Sequence, residues 1–245
     1  MTVSPIATSA SSLQLPTHIQ ELAITVTAQD LGSNLLNENF LKAGGIVPED
    51  WELARPAVAG PGGSQVVFKN GLSIVAQPRT LSFMETIGDR PLDSVQAGTI
   101  ARQYIKLLPK ADYQGLTISP KCLVPFPNNA DGARQFITRT LLAPGPWQDF
   151  GKTPVQAGVN FLYQLETCQL NVNINQATIQ IPEQPSVSAL LFVGNFNYPI
   201  NAPEATMRVS LLEQYLNGWQ SDFQTFRAMV DEQFLGQRQP ATVFG

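Results

Sequence analysis

"WELARPAVAGPGGSQVVFKNGLSIVAQPRTLSFME", residues 51–85, is the stretch that decides the fold class. Its glycines admit two readings, a phosphate-cradling loop or the turns of a sheet. A phosphate loop needs a preceding strand, glycines at fixed offsets and a helix whose N-terminus faces the anion. "GPGGSQVVF" has no Lys-Ser/Thr pair, and β-branched and aromatic residues follow it where a helix would have to begin. Asn70-Gly71 then joins two apolar runs, and Asn-Gly accepts the positive φ values of a type I′ hairpin turn. Pro78-Arg79 turns the chain again, into a run where Leu81, Phe83 and Glu85 alternate with Ser82 and Met84. Residues 64–87 are therefore expected to form a three-stranded meander, with the glycines as its turns.

On the N-terminal side, "ELAITVTAQ" alternates Leu22, Ile24, Val26 and Ala28 against Glu21, Thr25 and Thr27, which predicts a half-buried strand. "SNLLNENFLKAG" reads as a short helix capped by Ser33 or Asn34 and stopped at Gly44. After the meander, Asp93 or Ser94 caps a helix that ends before Pro109. "DYQGLTISPKCLVPF" is a strand interrupted at Pro120, so bent or close to an edge. "NNADGARQFITRTLL" is a second helix, capped by Asn129 or Asp131.

Further on, residues 155–165, 170–175 and 177–181 each pair an apolar face with an amide face, and "SALLFVGNFNY" adds a fourth strand. That pattern belongs to an antiparallel sheet with one side wet. A long helix from about Pro203 to Leu235 closes the chain. Its stripe of Leu212, Leu216, Trp219, Phe223, Phe226, Val230 and Phe234 covers an apolar sheet face. The expected fold is thus α+β, with antiparallel sheets in two helix-covered halves, residues 18–127 and 128–237. Disordered tails are expected at 1–17 and 238–245, and the similar order of elements in both halves suggests a diverged duplication.

Composition narrows the function. Charged residues make up only 14% of the 245 residues, well below the usual quarter, and Gln and Asn take their place. A weakly charged, amide-rich surface repels its own copies poorly, so association is expected. The net charge of −4 and the absence of a long Lys/Arg run argue against nucleic acid and against an anionic membrane surface. Cys122 and Cys168 stand 46 positions apart, and each is expected as a buried, reduced thiol. The N-terminal residues show no secretory pattern and no apolar run reaches membrane-spanning length, so a cytoplasmic protein is expected.

Candidates for chemistry are few. His18, the only histidine, adjoins the expected N-terminal tail, which is a poor place for a catalytic base. The acidic groups Glu49-Asp50-Glu52 and Asp231-Glu232 lack calcium-loop spacing and read as solvated. Arg55, between Trp51 and Pro56, is placed to pair with an acidic partner or to stack on the indole; pinning the sheet edge is the plainer role. Trp147 and Phe150 sit on a Pro/Gly loop, where they would anchor a partner if exposed or close the gap between the halves if buried.

At "IVPEDWELARPAV…QVVFKNGLSIVAQPRTLSFME", "TLLAPGPWQDFG" and "LFVGNFNYPI" the chain resembles a family of cyanobacterial proteins of unassigned function. The likeness covers most of residues 20–235 and implies a cytoplasmic bacterial protein of similar α+β build. It implies no activity and no catalytic residues.

The leading expectation is a non-enzymatic module that binds a protein partner or self-assembles, without cofactor or metal, using Trp51, Arg55, Trp147 and Phe150. Two alternatives are a structural component of a phage-derived or secretion particle, and a ligand-binding protein or enzyme with a pocket between the halves.

Overall fold

The computed structural model describes residues 19–32, 36–180 and 182–236. The expected tails, His18 and the Ser33 and Asn34 caps lie outside them. Alternating sequence gives nine strands among the described residues: β1 (Ile19–Ala28), β2 (Val58–Gly60), β3 (Gly63–Val67), β4 (Leu72–Gln77), β5 (Thr80–Thr86), β6 (Tyr113–Pro125), β7 (Val159–Gln164), β8 (Gln169–Ile179) and β9 (Val187–Pro199). All pair antiparallel in one sheet, in the order β2-β3-β4-β5-β1-β6-β9-β8-β7.

The expected meander is β3-β4-β5. Its first turn differs from the type I′ expectation. Among the described non-glycine residues only Arg79 and Glu183 have positive φ, so Asn70 does not, and Gly71 alone (φ 92°) takes the left-handed value. Phe68 N donates to Leu72 O, closing a three-residue loop, while Asn70 Oδ1 accepts from Leu72 N at 3.0 Å. Such loops are the next choice after two-residue turns when a glycine stands third.

The two expected halves are one sheet, because β6 is hydrogen-bonded to β1 on one side and to β9 on the other. Among the described residues there is no duplicated pair of sheets. Pro120, expected to bend a strand or mark an edge, sits in this central strand. The proline has no N–H to give, and the β6–β9 ladder is interrupted there, with partners Ile118↔Phe196 and Lys121↔Val193 flanking the gap. A Ser119 Oγ–Asn195 Oδ1 hydrogen bond of 2.9 Å bridges it. Of residues 170–175 and 177–181, expected as two strands, 170–175 and 177–179 belong to the single strand β8, since no turn residue separates them; Ile181 lies outside the described residues.

Helices α1 (Glu38–Ala43), α2 (Ala97–Leu107), α3 (Gly132–Gln135), α4 (Ala205–Asn217) and α5 (Trp219–Ala228) pack against one face of this sheet and against each other. Helix α1 is capped by Asn37, whose Oδ1 accepts from Phe40 N, and ends at Gly44. Helix α2 starts at Ala97, later than the Asp93 or Ser94 cap expected; Leu92–Ser94 is a separate 3-10 turn. Helix α3 widens at once into a π turn, Phe136–Leu141, and Asp131 spends its carboxylate on Arg134 instead of capping.

The C-terminal stripe is buried at all seven positions from Leu212 to Phe234, but it is not one long helix. Gly218 ends α4 and precedes α5, and a π turn, Met229–Phe234, finishes the run. The break lets the chain follow the twisted sheet. Two glycines make the packing close: a Cβ at Gly194 on β9 would stand 2.6 Å from the Phe226 ring, and one at Gly98 on α2 would stand 2.6 Å from the Trp219 indole. No helix among the described residues is long and apolar enough to cross a membrane.

Candidate functional site

Strand parity divides the sheet cleanly. Leu22, Ile24, Val26, Phe83, Ile118, Phe192 and Val172 point into the helical layer and are fully buried. The opposite face is crossed by no described helix. From β7 to β3 one of its rows reads Gln164, Gln169, Asn197, Thr117, Thr25, Ser82, Val75, Gln65. The row above it includes Asn171, Asn195, Ser119, Met84 and Ser73. Strand positions on this face carry two charges only, Glu21 and Lys121, and these pair with each other at 2.6 Å.

The amides and hydroxyls are already ordered among themselves. Thr117 Oγ1 donates to Asn197 Oδ1 at 3.1 Å, and the Thr25 and Ser82 hydroxyls lie 2.8 Å apart. Asn160 Nδ2 donates to Asn171 Oδ1 (2.9 Å) and Asn173 Oδ1 (2.7 Å), and Asn173 Nδ2 to Asn171 Oδ1 (2.9 Å). Side chains fixed in this way lose less freedom when a second surface meets them. Val67, Val75, Val193 and the 60% exposed Leu162 stand between the amides.

At one end of this face a cleft of about 590 Å³ is lined by Thr27, Thr117, Gln164, Glu166, Cys168, Asn197 and Tyr198, among others. Behind it runs a line of three side chains from three elements. The Cys168 thiol, in the β7–β8 turn, interacts with the Tyr198 hydroxyl on β9. That hydroxyl donates to Asp222 Oδ2 on α5 at 2.8 Å. Tyr198 also stacks on Tyr215 of α4, ring centroids 4.5 Å apart. Burial pushes the Asp222 carboxyl up to about 6, against a smaller opposing effect of the Tyr198 bond. Burial also raises the Cys168 thiol and the Tyr198 phenol. A thiol raised in this way stays protonated near neutrality and is a weak nucleophile. Among the described residues, no three His, Cys, Asp or Glu side chains are grouped to hold a metal ion.

The residues singled out from the sequence are not gathered into one patch. Trp51 packs edge-on against Phe68 (5.3 Å), half-buried beside the core. Arg55 neither stacks nor meets an acid; its Nη2 donates to Gln65 Oε1 at 2.9 Å, on the bare face. Trp147 (38% exposed) and Phe150 (89% exposed) lie on and just after the 3-10 turn Pro146–Asp149. Gln148 Nε2 ties that turn to Thr138 O, beyond α3, which packs on β8 and β9. Six strand spacings, about 29 Å, separate β3 from β8.

Sequence reasoning placed Glu85 in phase with Leu81 and Phe83 but gave it no role. It holds an apolar phase of β5, is 2% exposed, and accepts from Gln96 N (2.8 Å), Ala97 N (2.9 Å) and Arg90 Nη2 (2.9 Å). This carboxylate caps α2 from the sheet. A lone acid among inward-facing apolar positions was the available signal. The Cys168–Tyr198–Asp222 line joins residues far apart in sequence and left no such trace.

Among the described residues, fold and site together define an α+β protein whose single antiparallel sheet is helix-covered on one face and, on the other, crossed by no helix and weakly charged. Compared with known proteins, the chain matches no family model and no curated sequence.

Proposed function

We propose that the protein is a non-enzymatic assembly module, in which copies of the chain associate through the bare face of the sheet. The observation that carries this is the face itself: eight strands wide from β3 to β7, crossed by no described helix, and with one self-neutralised ion pair as the charges at its strand positions. Depletion of charge with scattered apolar residues is the composition of an interface centre. Amides and hydroxyls both donate and accept, so the face is complementary to a second copy of itself.

Its size is sufficient. Seven spacings of about 4.8 Å by roughly 20 Å of strand length give about 700 Å² per copy, near 1,400 Å² in a pair, within the range of stable interfaces. Two sheets of the same twist stack aligned. The buried thiols of Cys122 and Cys168, which are not joined in a disulfide, accord with a reducing bacterial cytoplasm.

Sedimentation of the wild-type chain and of an Asn195→Arg, Ser82→Arg variant tests the proposal. Association is expected for the wild type by about 100 µM, and a monomer with an unchanged circular dichroism spectrum for the variant. A wild-type monomer at that concentration overturns it. The 590 Å³ cleft favours a second reading, a small polar ligand bound at one end of the same face, which would appear as ligand affinity in a monomeric chain.

A further inference from the structure

A second cleft, of about 410 Å³, lies on the helical side, lined by Arg134, Thr138 and Arg139 from α3 and its π turn and by Gln148, Asp149 and Lys152 from the loop beyond, among others. Three cations line it against one acid, a local balance of +2 in a chain whose net charge is −4. Counting Asp131, which holds Arg134 through a 2.7 Å Nε–Oδ1 hydrogen bond, the balance is still +1.

Arg139 and Lys152 are unusual within this chain. Most described lysines and arginines elsewhere are paired, among them Arg90 with Glu85, Lys121 with Glu21, Arg79 with Gln114 and Arg102 with Asn217. Among the described residues only Lys110, Arg139 and Lys152 make no side-chain hydrogen bond or ion pair, and two of these three face the same cleft. The backbone explains how they converge. In a regular α-helix, residues five apart point about 140° away from each other. The π turn over Phe136–Leu141, seen in the Leu142 N to Ile137 O bond, winds less per residue and brings Arg139 round towards the side of Arg134. Widened turns of this kind recur at functional sites. Gly151, at φ 116°, takes a backbone value that favours glycine, and Lys152 follows it among the lining residues.

We infer that this cleft binds an oxyanion, a phosphate or carboxylate group carried on a small organic ligand. Unpaired guanidinium and ammonium donors are the groups that hold such oxygens by charge-assisted hydrogen bonds. The volume is that of a small-molecule site, and no extended basic face surrounds it to suit a polyanion. Phe150, 89% exposed, stands in sequence between the lining residues Asp149 and Gly151. The site is independent of the bare sheet face.

Titration of the full chain with pyrophosphate and with citrate, followed by amide NMR and calorimetry, tests the assignment. Saturable binding of one or both below about 1 mM is expected, weakened about tenfold or more by Arg139→Gln and by Lys152→Gln, with Lys110→Gln unchanged. Preference for pyrophosphate would name a phosphate ligand, and preference for citrate a carboxylate; either supports the site. Both exposed substitutions preserve the fold, which the NMR spectrum checks directly. No saturation by either anion up to about 10 mM, or an equal loss in Lys110→Gln, overturns the inference.

Discussion

Replacing Asp222 by Asn should stabilise the protein at neutral pH. Asp222 is held between α5 and the sheet with its carboxyl raised from its ordinary value near 3.8 to about 6 by burial. The folded chain therefore keeps a proton, between about pH 4 and pH 6, that the unfolded chain has released, and stability falls as pH rises through that window. Fully buried, a shift of about two units would correspond to about 3 kcal/mol. Asp222 is only partly buried, and screening by water reduces this to about 1–1.5 kcal/mol. The amide of Asn keeps an acceptor for the Tyr198 hydroxyl and removes the charge whose desolvation is unfavourable. Urea unfolding at pH 7.5 should show the variant more stable by about that amount, with Tm higher by roughly 2–6 °C. At pH 4.5, where folded wild type is largely protonated, the two proteins should differ much less. Equal differences at both pH values, or a variant weaker at pH 7.5, would refute the assignment of the penalty to this carboxyl.

Glu85→Ala removes a buried carboxylate from two helix N–H groups and from Arg90, and should lower stability by about 3–5 kcal/mol in denaturant titration. Gly194→Ala drives a methyl into the Phe226 ring, and a loss of about 1–3 kcal/mol with loosened α5 amides in hydrogen exchange is expected. Cys122, whose thiol burial pushes up to about 12, should resist thiol reagents at pH 8 in the folded protein and react once it is unfolded.

Periodicity made most of the elements legible, because burial on one face of a sheet imposes period two regardless of the partners. The meander at 64–87, the strand at 22–28 and the inward stripe from Leu212 to Phe234 all follow from it. What periodicity does not encode is which strands pair. The continuity of one sheet depends on β6 accepting β1 and β9 together, and Pro120 pointed the other way because its missing donor is accommodated by a gap in a single ladder. The break at Gly218 leaves the spacing of the apolar stripe intact, so the stripe alone could not reveal it.

The surface was less legible than the core. Trp51, Arg55, Trp147 and Phe150 stood out by residue type, yet they lie on separate parts of the molecule. The amide faces of the later strands were visible as alternation. Their union into one surface depends on cross-strand neighbours such as Thr25 and Thr117, 92 positions apart by numbering, which only register brings together. Arg134 and Arg139 likewise share a cleft through a π turn that residue spacing does not announce.

The most direct test of association through the bare face uses the methionines. Met84 lies on that face, on β5, whereas Met207 is exposed on α4 on the helical side. With methyl-labelled methionine, NMR spectra recorded from about 10 µM to about 500 µM span the range where an interface of this size forms. Shift or broadening of the Met84 methyl with concentration, while Met207 stays constant, is the predicted result. A Met207 signal that moves while Met84 does not would place the contact on the helices and contradict the account.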